Sequence, residues 1–165
     1  MPKLAELNAL GREEFTHLIG PVFEHSPWVA ARTCSRRPFQ SRADLHAALC
    51  ATVAKASDDE KLSLIRAHPD LIGDDKITDA SRAEQASAGL DRASPDEAKQ
   101  FREYNRQYRE RFGFPFVICA RLHKKEAIAF AFPIRLRNTR EQEMQTALDE
   151  IYKIADLRLR EIINE

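Results

Sequence analysis

Chemical signals for helix starts recur at short intervals along this chain, and they constrain its fold more than any other feature. Ser94-Pro95-Asp96-Glu97 is the strongest of them. A serine can cap the first free amides, proline has the φ that the first helical position needs, and acidic residues suit the positive end of the helix dipole. Phe101, Tyr104, Tyr108 and Phe112 then follow at helical spacing as an aromatic stripe, and Gly113 is placed to end the helix. Ser57 with Glu60 makes another capping box, leading Leu62, Leu64 and Ile65 towards His68-Pro69. That helix should stop near Ala67, because proline pushes its preceding residue out of the α region. Ser26-Pro27, Ser41 with Asp44, Ser81 with Glu84, and Thr139 with Gln142 mark further starts. The last of these opens a helix with Met144, Leu148, Ile151 and Ala155 on one side. A helix beginning near Lys124 is expected to break or kink at Pro133.

One stretch resists the helical reading. Phe114-Pro115-Phe116-Val117-Ile118-Cys119-Ala120 is continuously apolar and has no evident partner strand, which predicts an extended buried segment inside a helical protein. The expectation is an all-α fold: one compact domain over 1–165, seven or eight helices, and unusual loops at 68–80 and 113–122. A chain of 165 residues can bury enough surface to fold without a metal or disulfide. Lys+Arg 26 against Asp+Glu 26 gives no general attraction to nucleic acid or an anionic membrane. The five glycines, at 11, 20, 73, 89 and 113, cannot form GxGxxG or Walker loops. Cys34, Cys50 and Cys119 are too scattered for a disulfide framework or a CxxC site, and no HxxxH pair occurs, so no metal is expected. The N-terminus has no signal-peptide core, no run approaches the ~20 apolar residues of a membrane span, and REIINE is not a peroxisomal address. These features predict a cytoplasmic protein with reduced thiols. Trp28 and Cys119 are expected in the core. Arg102, Arg106, Arg109 and Arg111, interleaved with Glu103 and Glu110, read as a mixed solvated face, and Asp74-Asp75 beside Lys76 as a solvated turn.

Three charged or titratable residues carry candidate chemistry, each with a plainer alternative. His68, past a helix end and pinned by Pro69, suits acid–base work, or merely caps the last carbonyls. Glu84 closes a capping box with Ser81, or faces a pocket beside the Gln85 amide. Arg158 continues the apolar stripe of Ile151 and Ala155, so it either snorkels to solvent or pairs with something buried, where it would make a fork for a carboxylate.

Four pieces occur in one order: His68-Pro69-Asp70-Leu71-Ile72-Gly73, Ser81-Arg82-Ala83-Glu84-Gln85, Phe112 through Ala120 (FGFPFVICA), and Leu157-Arg158-Leu159. Together with Leu7-Asn8 and Arg36-Arg37-Pro38-Phe39 they resemble the 2-oxo-4-hydroxy-4-carboxy-5-ureidoimidazoline (OHCU) decarboxylase family over nearly the whole chain. The resemblance implies an all-α, often dimeric enzyme that needs no metal or organic cofactor and makes (S)-allantoin in urate degradation. It puts the catalytic histidine on His68, the glutamate on Glu84 and the arginine on Arg158. It puts substrate contacts on Pro69, Ser81, Gln85 and the backbone around Phe116, Ile118 and Ala120. Ile128 to Pro133 departs from the polar helix expected there. Two other readings use the same residues: a non-catalytic helical interaction module, and a metal-free hydrolase of a ureido compound.

Overall fold

A computed structural model describes residues 1–73 and 76–165, so the turn expected at Asp74-Asp75 lies outside the described residues. The described residues form nine α-helices and no strand, the all-α class expected from the caps. They fall into two compact units, Met1–Ala67 with Tyr152–Glu165, and His68–Ile151.

The first unit contains α1 (Leu4–Ala9), α2 (Arg12–Ile19), α3 (Trp28–Thr33), α4 (Arg42–Ala54), α5 (Asp58–Arg66) and the end of α9 (Arg140–Ile162). Its interior is built from Leu7, Phe15, Ile19, Val29, Leu45, Leu49, Val53, Leu64, Ile65, Ala155 and Leu159, all buried. α1 and α2 take the helix number beyond seven or eight. They are capped by Lys3 and Gly11 and not by a Ser, Thr, Asp or Asn, so the signal that marks α4, α5, α9 and the helices beginning at Asp79 and Pro95 is missing there. Asn8 holds the Phe39 backbone from both sides, donating from Nδ2 to its carbonyl and accepting its amide at Oδ1, each at 2.9 Å. Ser57 and Glu60 form the expected box, and α5 stops at Arg66.

Two expectations need correcting here. Ser26 does not cap α3: the helix starts at Trp28, Pro27 takes the cap position, and the Ser26 hydroxyl donates to the Glu24 carbonyl at 2.8 Å. Trp28 is half-buried rather than core, and the Arg32 guanidinium lies over its ring at 4.7 Å.

The second unit contains α6 (Asp79–Ser87), α7 (Pro95–Phe112), α8 (Lys125–Arg135) and the start of α9. α7 is built as its sequence predicts, with a Ser94–Glu97 box, Pro95 first and Gly113 at φ 78 closing it. Tyr108, Phe112, Phe114, Phe116 and Phe132 form an aromatic core, in which Phe116 stacks on Phe132 with centroids 3.8 Å apart. Residues 114–120 are buried and form no strand, as expected. Pro133 does not break α8. It sits in the last turn, where only the Ala129 carbonyl is deprived of its amide, and the helix continues to Arg135.

Candidate active site

The turn after His68 is held by side chains from two helices of its own unit. His68 is buried, and the next residues lack regular structure. The Gln85 amide on α6 takes both polarities of that turn: Nε2 donates to the Asp70 carbonyl at 3.2 Å and Oε1 accepts the Ile72 amide at 3.1 Å. Asn105 Nδ2 on α7 donates to the Leu71 carbonyl at 2.8 Å. Arg109 Nε, one turn further along α7, meets both Asp70 carboxylate oxygens at 2.9 and 3.1 Å. Ile72 is forced to φ 52, a region that costs a β-branched residue energy and persists only where its surroundings over-determine it. A Cβ at Gly73 would lie 2.9 Å from Asp70 Cβ, so the turn is tight enough to need glycine. The HPDLIG motif is therefore a stiff mount that begins at the imidazole.

α6 carries Ser81, Glu84 and Gln85, and its start corrects the expected box. Thr78 is the cap: its Oγ1 accepts the Ser81 amide at 3.2 Å, so Ser81 sits in the first turn and its amide is not available to Glu84. Thr78-Asp79 and Ser81 both look like helix starts, and the earlier one wins because it satisfies the first amides with an acidic residue directly behind it. Ser81 is thereby buried as a side chain in the helix, while Glu84 and Gln85 are half-buried one turn on.

The segment 114–120 has an unusual distribution of backbone partners. Arg135 Nη1 donates to the Val117 carbonyl at 2.7 Å, and its guanidinium lies over the Phe116 ring at 4.0 Å. Glu143, fully buried, fixes that guanidinium: its Oε1 accepts from Arg135 Nε at 2.7 Å and from the Tyr108 hydroxyl at 2.6 Å, and its Oε2 accepts from Asn138 at 2.8 Å. Burial is the main reason the Tyr108 phenol lies well above its ordinary pKa. The Glu143 hydrogen bond adds to this, and the nearby Arg135 charge opposes it. Glu150 accepts the Cys119 amide at 3.2 Å. Among the described residues, no hydrogen bond engages the backbone of Phe116 or Ile118, although both residues are buried. Buried backbone groups without partners are rare, and such groups suit a ligand that completes them.

Within this unit, packing links the elements that carry these residues. Gln85 joins α6 to the turn after His68, and α6 packs against the short helical turn Ala120–Leu122 that ends the segment. α7 reaches both, through Asn105 and Arg109 to the turn and through Tyr108 to Phe116, with ring centroids 5.3 Å apart. Arg158 belongs to the first unit, where it is buried and paired. Its Nη2 donates to Glu24 at 3.0 Å and its Nη1 to the Pro21 carbonyl at 3.0 Å. The fork therefore holds a carboxylate of the protein, and the snorkelling alternative is excluded. Asn105, Arg135, Glu143, Glu150 and Glu24 escape the sequence reading. The one available signal was a polar residue on an apolar face, as with Asn105 between Phe101 and Tyr108.

The family model for OHCU decarboxylase matches residues 8–160. The chain belongs to this family. A relative from Haloferax volcanii, the 2-oxo-4-hydroxy-4-carboxy-5-ureidoimidazoline decarboxylase, is 46% identical over 158 residues, 96% of this chain and 94% of that protein. The uric acid degradation bifunctional protein of Bacillus sp. (strain TB-90) is 43% identical over all of this chain, which spans only 33% of that longer protein. A crystal structure of (S)-allantoin synthase superposes with TM-score 0.83 at 30% identity, covering 99% of this chain and 54% of the other.

Proposed function

We propose that this chain decarboxylates 2-oxo-4-hydroxy-4-carboxy-5-ureidoimidazoline to (S)-allantoin in urate degradation. The observation that supports this reading best is the buried backbone of Phe116 and Ile118, which has no hydrogen-bond partner among the described residues, in the unit that also holds His68 and Glu84. A flat ring edged with carbonyl and N–H groups is the kind of ligand such a backbone edge suits.

The reaction breaks the bond between the carboxylate and the carbon bearing the hydroxyl. Its electron pair is delocalised into the neighbouring imine, so carbon dioxide leaves an enol-like ring. The former imine nitrogen takes a proton, the hydroxyl loses one and the adjacent carbon gains one to give allantoin, so one proton is taken up overall. His68 handles the hydroxyl proton or its successor. Glu84 orients the ureido and ring N–H groups, and the Phe116, Ile118 and Ala120 backbone holds the ring edge. Pro69 and Ser81 are further contacts, and Gln85 acts at least by fixing the turn. Such positioning, with exclusion of bulk water, is the protein's main contribution to a reaction whose electron sink lies in the substrate. The role carried by Arg158 is to hold an anionic group, with Glu24 fixing its guanidinium. If Arg158→Lys turns over the anionic substrate with the KM and kcat of the wild type, that role is lost.

The test is turnover of freshly generated substrate, scored for carbon dioxide and product chirality against spontaneous decay. The reading predicts faster decay and (S)-allantoin. Release of ammonia or urea instead selects the ureido hydrolase, and no acceleration selects the interaction module. We also propose a cytoplasmic homodimer. Phe130 and Ile134 stand 75% and 54% exposed on the outer face of α8, where a polar helix was expected, and zero net charge removes self-repulsion. Light scattering of the wild type and Phe130→Asp decides: a wild-type monomer removes the dimer. No helix of the described residues is long and apolar enough to cross a membrane.

A further inference from the structure

Asn105 has one polar atom that the fold leaves unused. The residue is 5% exposed, and its Oδ1 is buried with no hydrogen-bond partner among the described residues. Its other polar atom is committed, since Nδ2 donates to the Leu71 carbonyl at 2.8 Å. That bond fixes the amide orientation, because turning it over would set one oxygen against another. The orphan acceptor is therefore a fixed feature, and native proteins seldom keep one without a use.

Its position suggests the use. Asn105 lies on the buried stripe of α7, four residues after Phe101 and three before Tyr108. Tyr108 packs its ring on Phe116, whose backbone also has no partner among the described residues. Arg109 and Asn105 hold the turn after His68. One helical face thus meets both the turn that mounts the imidazole and the segment whose Phe116 and Ile118 backbone has no partner among the described residues, and Asn105 with its unused oxygen belongs to that face.

We propose that Asn105 is a further ligand-binding residue: its Oδ1 accepts an N–H of the substrate or product, of the ureido or ring-amide class, while its Nδ2 keeps the turn after His68 in place. This rests on the decarboxylase reading and adds a contact that couples ligand binding to the imidazole mount. It also predicts a preference for ligands that offer an N–H there over isosteres that do not.

The experiment is a cycle measured by calorimetry with the full chain, using allantoin and its singly N-methylated analogues against wild type, Asn105→Ala and Asn105→Asp. Thermal melts confirm folding. Asn105→Asp keeps an acceptor and removes the donor to Leu71, so it remains informative should Asn105→Ala unfold. The expected result is that one N-methylation weakens wild-type binding at least tenfold and weakens Asn105→Ala no more than twofold. Asn105→Asp should keep that dependence while its kcat falls through the loosened turn. Equal losses in wild type and Asn105→Ala for every analogue overturn the inference, as does allantoin binding to Asn105→Ala within twofold of the wild type. If the wild type decarboxylates and the cycle is additive, only the Asn105 contact falls. A coupled cycle without carbon dioxide release sinks the decarboxylase reading and leaves the contact. No wild-type binding of allantoin or fresh substrate overturns both.

Discussion

The turn 70–72 and the segment 116–118 lie in the same unit and have opposite backbones. In the turn, the Asp70 and Leu71 carbonyls and the Ile72 amide are all taken by side chains from α6 and α7. In the segment only the Val117 carbonyl is taken, by Arg135, and the groups on either side have no partner among the described residues. Both regions are irregular, so lack of secondary structure alone does not tell a support from a binding edge. Hydrogen-bond accounting does. A backbone saturated by side chains resists deformation and suits a catalytic mount, whereas a buried unsaturated one is costly until a ligand completes it.

The contrast can be broken at several points. The largest effect is expected at the group the turn carries: His68→Asn should lower kcat by on the order of 10²–10⁴ with intact folding, read from initial rates with chirality scored. Near-normal turnover would remove His68 from the chemistry. Next comes the hidden support of the segment. Glu143→Ala leaves Arg135 buried without its carboxylate and should cost about 3–5 kcal/mol in denaturant unfolding. A loss under ~1 kcal/mol would show that the segment does not depend on this network. Gln85→Ala removes two bonds to the turn and should cost about 2 kcal/mol, with kcat falling more than KM rises. A pure KM effect would make Gln85 a contact for substrate and not a brace.

The pH dependence sharpens the same point. The Tyr108 phenol is held above its unfolded value, chiefly by burial. Above about pH 10 the unfolded chain sheds a proton that the folded chain keeps, so this contribution is present below that pH and lost as pH rises. Stability measured from pH 9 to 11 should fall less steeply in Tyr108→Phe than in wild type, and identical slopes would contradict the buried network. The smallest effect belongs to the solvated face of α7. Glu103 is held at about 2, first by its Arg106 hydrogen bond and then by Gln107, but its side chain is 45% exposed. Its help is present above its ordinary value and lost as pH falls towards 2, and Glu103→Ala should leave the midpoint of thermal unfolding at pH 7 unchanged within error.

What could be read in advance follows the range of the interactions. Capping at Ser57, Ser94 and Thr139 is settled within three residues, and those helices start where the sequence places them. The same local logic misplaced the start of α6, since Thr78 and Ser81 compete within one turn and spacing alone does not rank them. The buried segment was legible because seven apolar residues in a row leave little choice of environment. Its supports were not. Arg135 ends an apolar run, and only the folded chain brings it to Glu143 and Val117. Arg158 on an apolar stripe announced a buried partner, but Glu24 lies 134 positions away. Cys50 shows a further limit: burial, with Asp156 nearby, pushes its thiol up to about 12, which composition alone does not foretell.

The most direct measurement is nitrogen–proton correlation spectroscopy of the Phe116 and Ile118 amides during titration with allantoin. The account predicts that these two signals move furthest downfield and that their hydrogen exchange slows on saturation, while the Ile72 amide, already bonded to Gln85, barely shifts. Saturation with both amides unmoved, or with Ile72 shifting most, would contradict it.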